Sequence, residues 1–259
     1  MTETATPTVE EIGKFLASYA SYLFGCGSTC IRLLKNMTRM AETWSVTLNT
    51  QILPSNITIN VSTLDGSQSY VTIVKTQHCG ISFDLNTTLS RLSWRVADEK
   101  LSLAEAVRLF NEAVNRPRIN KWVVLFLASA ANASFCRLFG GDPTAMLVVF
   151  GSTLLGFFVR QEMMHAKVDF RFTVFVCALI SSIAAAGATI FQWGYTPEIA
   201  MATSVLYLVP GIPYINSVSD MLDGHYLCSF GRLMNAVALT CCLSAGLCGG
   251  LLLMDLNLF

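Results

Sequence analysis

The chain has 259 residues, of which 53% are hydrophobic and 13% are charged, and its mean hydropathy is +0.53. Globular chains carry about 25% charged residues, so this composition predicts an integral membrane protein. A net charge of zero argues against a nucleic-acid partner, and a sequence without a CxxC pair or a nucleotide-binding motif predicts no metal site and no cofactor.

The first predicted element is a helix over residues 8–42. Thr8 is suited to cap its beginning, since Glu10 and Glu11 follow in the first turn, and Gly25 and Gly27 divide it. The preceding residues have neither the basic nor the apolar stretch of a secretory signal. We therefore expect the first part of the chain to be cytoplasmic.

Residues 45–77 alternate between apolar and polar, with turn signals at 54–56 and 65–67, which predicts a three-stranded antiparallel meander. Two helices follow at about 87–100 and 103–116, the second capped by Ser102. Residues 1–118 are thus predicted to form a small cytoplasmic α+β domain with a helix, the meander and two helices.

The rest of the chain, 119–259, is predicted to be a domain of five transmembrane helices. Each of its five apolar runs is close to the ~20 residues that cross a bilayer. The runs are Trp122 to Phe139, Pro143 to Val159, Phe172 to Trp193, Ile199 to Ser219 and Leu227 to Met254.

The basic residues that flank these runs predict the orientation of the chain. Seven of them fall on one side, against Arg137 alone on the other, so the positive-inside rule predicts a cytoplasmic N-terminus and an external C-terminus. The seven are Arg116, Arg118, Lys121, Arg160, Lys167, Arg171 and Arg232.

The fourth run contains its own helix breakers, Pro210, Gly211 and Pro213. Pro210 lies twelve residues after Glu198, or roughly 18 Å into the membrane at 1.5 Å per residue. A break at that depth is tolerated only where it is buried in protein or lines a polar cavity, as in the binding sites of transporters. The sequence therefore predicts a substrate or ion pathway here.

Polar residues after the break are the main candidates for that pathway. Asn216 and Asp220 are four residues apart on one helix face, so they could bind a cation, a substrate ammonium or a proton. The alternative is that Asp220 and Asp223 are solvated at the membrane interface and Pro210 is only a kink. Arg232 could bind a substrate carboxylate or pair with Asp220 or Asp223. The other candidates are Asp142, a helix cap or a gate, and the polar residues Asn132, Ser181 and Ser182 within apolar runs.

Two other functions are also considered. His78, Cys79 and Asp84 could belong to a membrane-anchored hydrolase, although adjacent residues of a strand point to opposite faces. The spans could also serve only as an anchor, which would make the chain a scaffold or a sensor that transports nothing.

Three stretches of this chain resemble the threonine/serine exporter family: GSTCIRLLKNMTRMAETW, FGGDPTAMLVVFGSTLLG and LVPGIPYINSVSDMLDGHYLCSFGR. In the last, the family's Pro-Gly, Asp, Gly and Arg fall at Pro210-Gly211, Asp220, Gly224 and Arg232. The chain is similar to the split form of that family, which implies a second, smaller membrane subunit and allows a homo-oligomer. The resemblance implies export of threonine and serine or of C4 dicarboxylates such as succinate.

Overall fold

The computed structural model describes residues 7–77, 79–117 and 119–255, and most of them are helical. The chain forms two compact units. The first contains the residues up to Pro117 together with Ile212–Met234, a segment that the sequence analysis assigned to the membrane part. The second contains the residues between these segments and those from Asn235 onward.

The first unit begins with two helices, α1 (Val9–Gly25) and α2 (Cys30–Thr43), which confirms a helical region divided near Gly25 and Gly27. Thr8 caps α1 as predicted. Its side chain accepts a hydrogen bond of 3.2 Å from the Glu11 N–H, and the Glu11 carboxylate accepts one of 2.9 Å from the Thr8 N–H. This reciprocal capping box satisfies two donors that the first turn leaves unpaired.

The predicted meander is confirmed as β1 (Val46–Ile52), β2 (Asn56–Thr63) and β3 (Ser69–Lys75), paired antiparallel in the order β1-β2-β3. In the register, Ile52 lies opposite Ile57. Successive side chains of a strand point to opposite faces, and the alternate residues Ile57, Ile59 and Val61 are fully buried. That apolar face belongs to the same core as α1 and α2.

Helices α3 (Phe83–Glu99) and α4 (Leu103–Val114) complete the N-terminal part of this unit. α3 begins four residues before its predicted start because the Ser82 side chain caps it, accepting a 3.3 Å hydrogen bond from the Leu85 N–H. The Ser102 cap of α4 is confirmed by the same kind of bond from the Glu105 N–H.

The remaining helices follow the apolar runs. They are α5 (Lys121–Leu138), α6 (Pro143–His165), α7 (Phe170–Ile190), α8 (Pro197–Thr203), a 3-10 turn (Leu206–Leu208), α9 (Gly211–Leu222) and α10 (Tyr226–Leu253).

Within the described residues, α6, α7 and α10 are long and apolar enough to cross a membrane. The bent pair Pro197–Leu208 and Gly211–Leu222 would make a fourth span if its two parts cross the membrane together. By the same measure of length and apolar character, α5 is not among the candidate spans. The chain is therefore a multi-pass membrane protein with three or four candidate spans.

The predicted break in the fourth run is present at Pro210, but the irregular segment also extends before it, and Gly211 and Pro213 lie beyond it. Regular helix ends at Thr203, only a 3-10 turn follows, and α9 begins at Gly211, so Pro213 lies inside the first turn of a new helix. The first turn tolerates proline because its N–H groups have no partner within the helix. Gly211 and Pro213 thus start α9, and the irregular segment precedes them.

Candidate functional site

The loop between α1 and α2 needs hydrogen-bond partners from outside. Gly27 has a φ of +95°, a left-handed conformation that glycine adopts most readily, and Ser28 is buried. Thr29 precedes α2 but makes no side-chain capping bond, so the first N–H groups of α2 depend on other parts of the chain.

Three side chains from α9 and α10 bind this loop, and all of these residues belong to the first unit. Asp220 Oδ1 accepts a 2.8 Å hydrogen bond from the backbone N–H of Cys30, the first residue of α2. The Asn216 side-chain amide donates one of 2.8 Å to the Gly27 carbonyl. Arg232 Nη2 donates one of 2.7 Å to the Ser28 carbonyl. We call Asn216, Asp220 and Arg232, with the backbone of residues 27–30, the loop cluster.

An ion pair lies at the centre of the loop cluster. Arg232 Nη1 is 3.1 Å from Asp220 Oδ2, and the two side chains are 15% and 0% exposed. The contact is electrostatic, because these atoms are close but not aligned as a hydrogen bond. The guanidinium also lies 4.6 Å from the ring centroid of Phe24, within the range of a cation–π contact. This confirms the pairing with Asp220 as one of the two roles considered for Arg232.

The negative charge of Asp220 also stabilises the N-terminus of α2, because a helix carries a partial positive charge at that end. Asp223, three residues further along, is exposed and lies outside the cluster. The cluster therefore uses one of the two predicted acidic residues.

Two thiols lie beside the loop cluster. Cys30 and Cys228 are buried, and the Cys228 thiol donates to the Ile52 carbonyl at 3.3 Å. The pKa of the Cys30 thiol is raised, first by its hydrogen bond with Cys228, then by burial and by the Asp220 charge. Burial raises the pKa of the nearby Cys26 thiol to about 12. Both Cys26 and Cys30 are consequently protonated at neutral pH.

Sequence reasoning missed a further pair that joins α9 to α10. The hydroxyls of Ser217 and Ser229 each donate a 2.8 Å hydrogen bond to the backbone carbonyl of the other residue. Both serines are buried. The sequence could have indicated this pair, because one serine lies beside Asn216 and the other lies near Arg232, in segments already considered functional.

In the second unit, Asp142 caps α6 as predicted. Oδ1 accepts a 2.6 Å hydrogen bond from the Ala145 N–H, and Oδ2 accepts one of 2.6 Å from the Tyr195 N–H. These two backbone donors, Tyr195 first, lower the pKa of the Asp142 carboxyl. The residue thus holds the turn before α8 to the beginning of α6.

The polar residues predicted within the apolar runs are all buried and hydrogen-bonded. The Asn132 amide donates to Thr153 Oγ1 at 2.7 Å and to the Thr203 carbonyl at 3.1 Å. The Ser181 hydroxyl lies 2.9 Å from that of Tyr207. The Ser182 hydroxyl donates to the carbonyl of Leu179 within α7.

The hydrolase alternative rests on His78, Cys79 and Asp84. His78 lies outside the described residues, Cys79 is half-buried, and Asp84 is exposed in the first turn of α3. In the described ranges, no group of three or more His, Cys, Asp or Glu side chains is placed to hold a metal ion.

A multi-pass helical chain with an interrupted helix and a buried ion pair after the interruption has the features of a membrane transporter. The chain belongs to the threonine/serine exporter family, since the family model described as "Putative threonine/serine exporter" matches residues 14–254. The match covers all three residues of the loop cluster.

Two curated relatives carry the name "Probable succinate transporter subunit YjjP". The protein from Klebsiella aerogenes is 27% identical over 225 residues, which cover 85% of each chain. The protein from Escherichia coli strain K12 is 28% identical over 190 residues, which cover 72% of this chain and 73% of the relative. No solved structure matches the chain.

Proposed function

We propose that this chain is a membrane subunit of a secondary exporter, which moves small polar metabolites out of the cytoplasm by alternating access coupled to an ion gradient. The observation that carries this proposal is the loop cluster. It places a buried carboxylate and a guanidinium on the two helices that follow the break, in a chain of an exporter family.

The energetics of the cluster support a role in switching. A buried ion pair is weak support for stability, since apolar residues of similar size often stabilise a fold as well or better. The same pair can bias an element that has two arrangements. We infer that Asp220 and Arg232 hold the start of α10 and the end of α9 against the α1–α2 loop in one state of the transport cycle and separate in the other.

The proposed topology has five spans, with the bent pair as the fourth and α5 as the first. α5 is 18 residues long, and Lys121 and Arg137 lie at its ends. The excess of basic residues on one side supports a cytoplasmic N-terminal part, residues 1–118, and an external C-terminus in a bacterial inner membrane.

The proposed partner is a second, smaller membrane subunit that supplies the other half of the transporter. Its support is the word "subunit" in the names of both relatives. The same names favour a C4 dicarboxylate such as succinate as substrate, while the family description keeps threonine and serine as the alternative.

Reconstitution into liposomes tests the proposal. The chain, alone and with its proposed partner, is incorporated into vesicles loaded with labelled succinate, threonine or serine, and efflux is measured with and without a proton or sodium gradient. We expect one substrate to leave the vesicles faster than from protein-free vesicles, and the gradient to change its rate.

Substitutions in the cluster test its role. We expect Asp220→Asn and Arg232→Ala to reduce efflux strongly, whereas Asp98→Asn and Arg91→Gln make the same charge changes on the exposed face of α3 and leave it unchanged. Unchanged efflux in both cluster variants would refute the role of the cluster. No efflux of any of the three substrates, with or without the partner, would refute the exporter.

A further inference from the structure

Arg160 is a half-buried cation that the loop cluster does not involve. The sequence analysis placed it just beyond an apolar run ending at Val159, but α6 continues to His165 and includes it. Its Nε is buried and has no hydrogen-bond partner. Among the described residues, Arg160 also forms no ion pair with any carboxylate.

Two aromatic rings lie beside this guanidinium. Its Cζ lies 5.2 Å from the ring centroid of Phe157 and 5.7 Å from that of Phe170. The Tyr207 ring lies 6.0 Å from the ring of Phe157, so the tyrosine packs on one of the two rings beside the guanidinium. All of these residues belong to the second unit.

Two hydroxyls accompany the cation. The hydroxyls of Tyr207 and Ser181 are 2.9 Å apart, and Gly156 lies against both. A Cβ at Gly156 would come within 2.1 Å of each of these two oxygen atoms. Gly156 lies four residues before Arg160 on α6, and the absence of a side chain there leaves room for the hydroxyls of α7 and of the 3-10 turn.

This arrangement has donors but lacks an acceptor of opposite charge. A guanidinium without a counter-ion is costly in an apolar environment, and a carboxylate matches its planar fork with two parallel hydrogen bonds. The Ser181 hydroxyl also donates to the Ser152 carbonyl at 3.4 Å, so the Tyr207 hydroxyl is the one better placed to donate to the same carboxylate. Arg232 is less suited to this task because Asp220 already neutralises its charge.

We propose that Arg160, with the hydroxyls of Tyr207 and Ser181, binds a carboxylate group of the transported metabolite. The subsite rests on the proposed exporter function and specifies its substrate class as organic acids, which include amino acids. The alternative is that Arg160 is held only by its aromatic neighbours and extends its charge toward the membrane surface.

Direct binding to the purified full-length chain tests the subsite without requiring transport. Labelled succinate, threonine and serine are titrated against the wild type and three variants in detergent. We expect Arg160→Gln to weaken binding of the preferred acid by at least about tenfold, because the charged hydrogen-bonding partner is lost. Arg160→Lys should bind with intermediate affinity, since it keeps the charge without the fork. Tyr207→Phe should weaken binding about threefold to tenfold by removing one hydroxyl donor.

The matched control is Arg171→Gln, which removes an exposed charge at the start of α7. It should bind as the wild type does. A neutral analogue, succinamide, should compete with succinate equally poorly in the wild type and in Arg160→Gln. If Arg160→Gln no longer elutes as a single species in size-exclusion chromatography, it is misfolded. Tyr207→Phe, which keeps the cation, then decides the test.

The outcomes separate the subsite from the exporter. Wild-type affinity in Arg160→Gln, or in a folded Tyr207→Phe when the first variant is misfolded, overturns the subsite even if efflux is normal. A wild-type chain that binds none of the three acids, alone or with its partner, also overturns it. Arg160-dependent binding without efflux would support the subsite and overturn the exporter.

Discussion

Asp220 Oδ1 accepts a hydrogen bond of 2.8 Å from the backbone N–H of Cys30, although 190 positions separate the two residues. The bond ties the end of the helix after the break to the beginning of the second helix of the chain. Because Arg232 neutralises the same carboxylate, the contact depends on two side chains at once. Loss of either should therefore affect the other.

We expect Arg232→Ala to destabilise the first unit by about 3–5 kcal/mol, because it leaves the Asp220 carboxylate buried without its counter-ion. Asp220→Asn should cost less, since an amide oxygen can still accept from the Cys30 N–H. Thermal unfolding in detergent measures the difference, with Arg91→Gln as a control for loss of an exposed arginine. The double variant Asp220→Asn/Arg232→Ala should be more stable than Arg232→Ala alone. If the double variant is less stable than the wild type by the full sum of the two single effects, the ion pair does not couple these residues.

The reactivity of the Cys26 and Cys30 thiols should show whether the contacts of the loop cluster are intact. Burial raises the pKa of Cys26 to about 12, so at pH 8 a far smaller fraction of this thiol is ionised than of an ordinary cysteine. The hydrogen bond with Cys228, and then burial, raise the pKa of the Cys30 thiol as well. We expect neither thiol to be alkylated by iodoacetamide in the native wild type, as measured by mass spectrometry of peptides.

Arg232→Ala should increase alkylation of Cys30, because Asp220 then loses the partner that holds it against the α2 N-terminus. The half-buried Cys79 serves as an internal reference in every sample. If Cys30 stays unreactive in a variant that has lost stability, the cluster opens without exposing the start of α2.

The local elements of the first unit could be predicted because short-range chemistry determines them. Thr8 with Glu11, and Ser102 with the Glu105 N–H, are capping patterns that span three residues. The alternation that buries Ile57, Ile59 and Val61 is equally local. Such signals do not depend on the rest of the fold.

The partners of the site could be predicted only in part. Asp220 and Arg232 are opposite charges in neighbouring segments, so their pairing was one of two roles considered. The Cys30 N–H and the Ser28 carbonyl are backbone groups, which have no signature in the sequence. The end of α6 was predicted too early for a different reason: a charged residue after an apolar run resembles the end of a span, whereas helix propensity continues the helix past Arg160 to His165.

Asp142 should make the beginning of α6 sensitive to acid. Its pKa is lowered in the fold, so its stabilising effect is complete above the ordinary carboxyl value near 3.8 and is lost as the pH falls through the lowered folded value. We expect the melting temperature of the wild type to exceed that of Asp142→Ala at pH 7, and the difference to shrink below pH 4. Asp142→Asn, which retains a capping oxygen, should lie between them at pH 7. A difference that stays constant from pH 7 to pH 3 would mean that the ionised carboxylate contributes nothing.

Asn132 joins three helical segments of the second unit, since it belongs to α5 and donates to Thr153 of α6 and to the last carbonyl of α8, that of Thr203. Interhelical side-chain hydrogen bonds in membranes contribute about 0.6 kcal/mol on average and up to about 2 kcal/mol. We expect Asn132→Leu to cost toward the upper end of that range, because both partners lie in a buried environment and the carbonyl of Thr203 loses a donor. The matched control is Ser134→Ala on the same helix, whose exposed hydroxyl bonds only to the carbonyl of Ala130 one turn earlier. Thermal unfolding of the two variants in the same detergent should show a lower melting temperature for Asn132→Leu alone, whereas equal values would show that the Asn132 bonds contribute no more than a surface hydroxyl does.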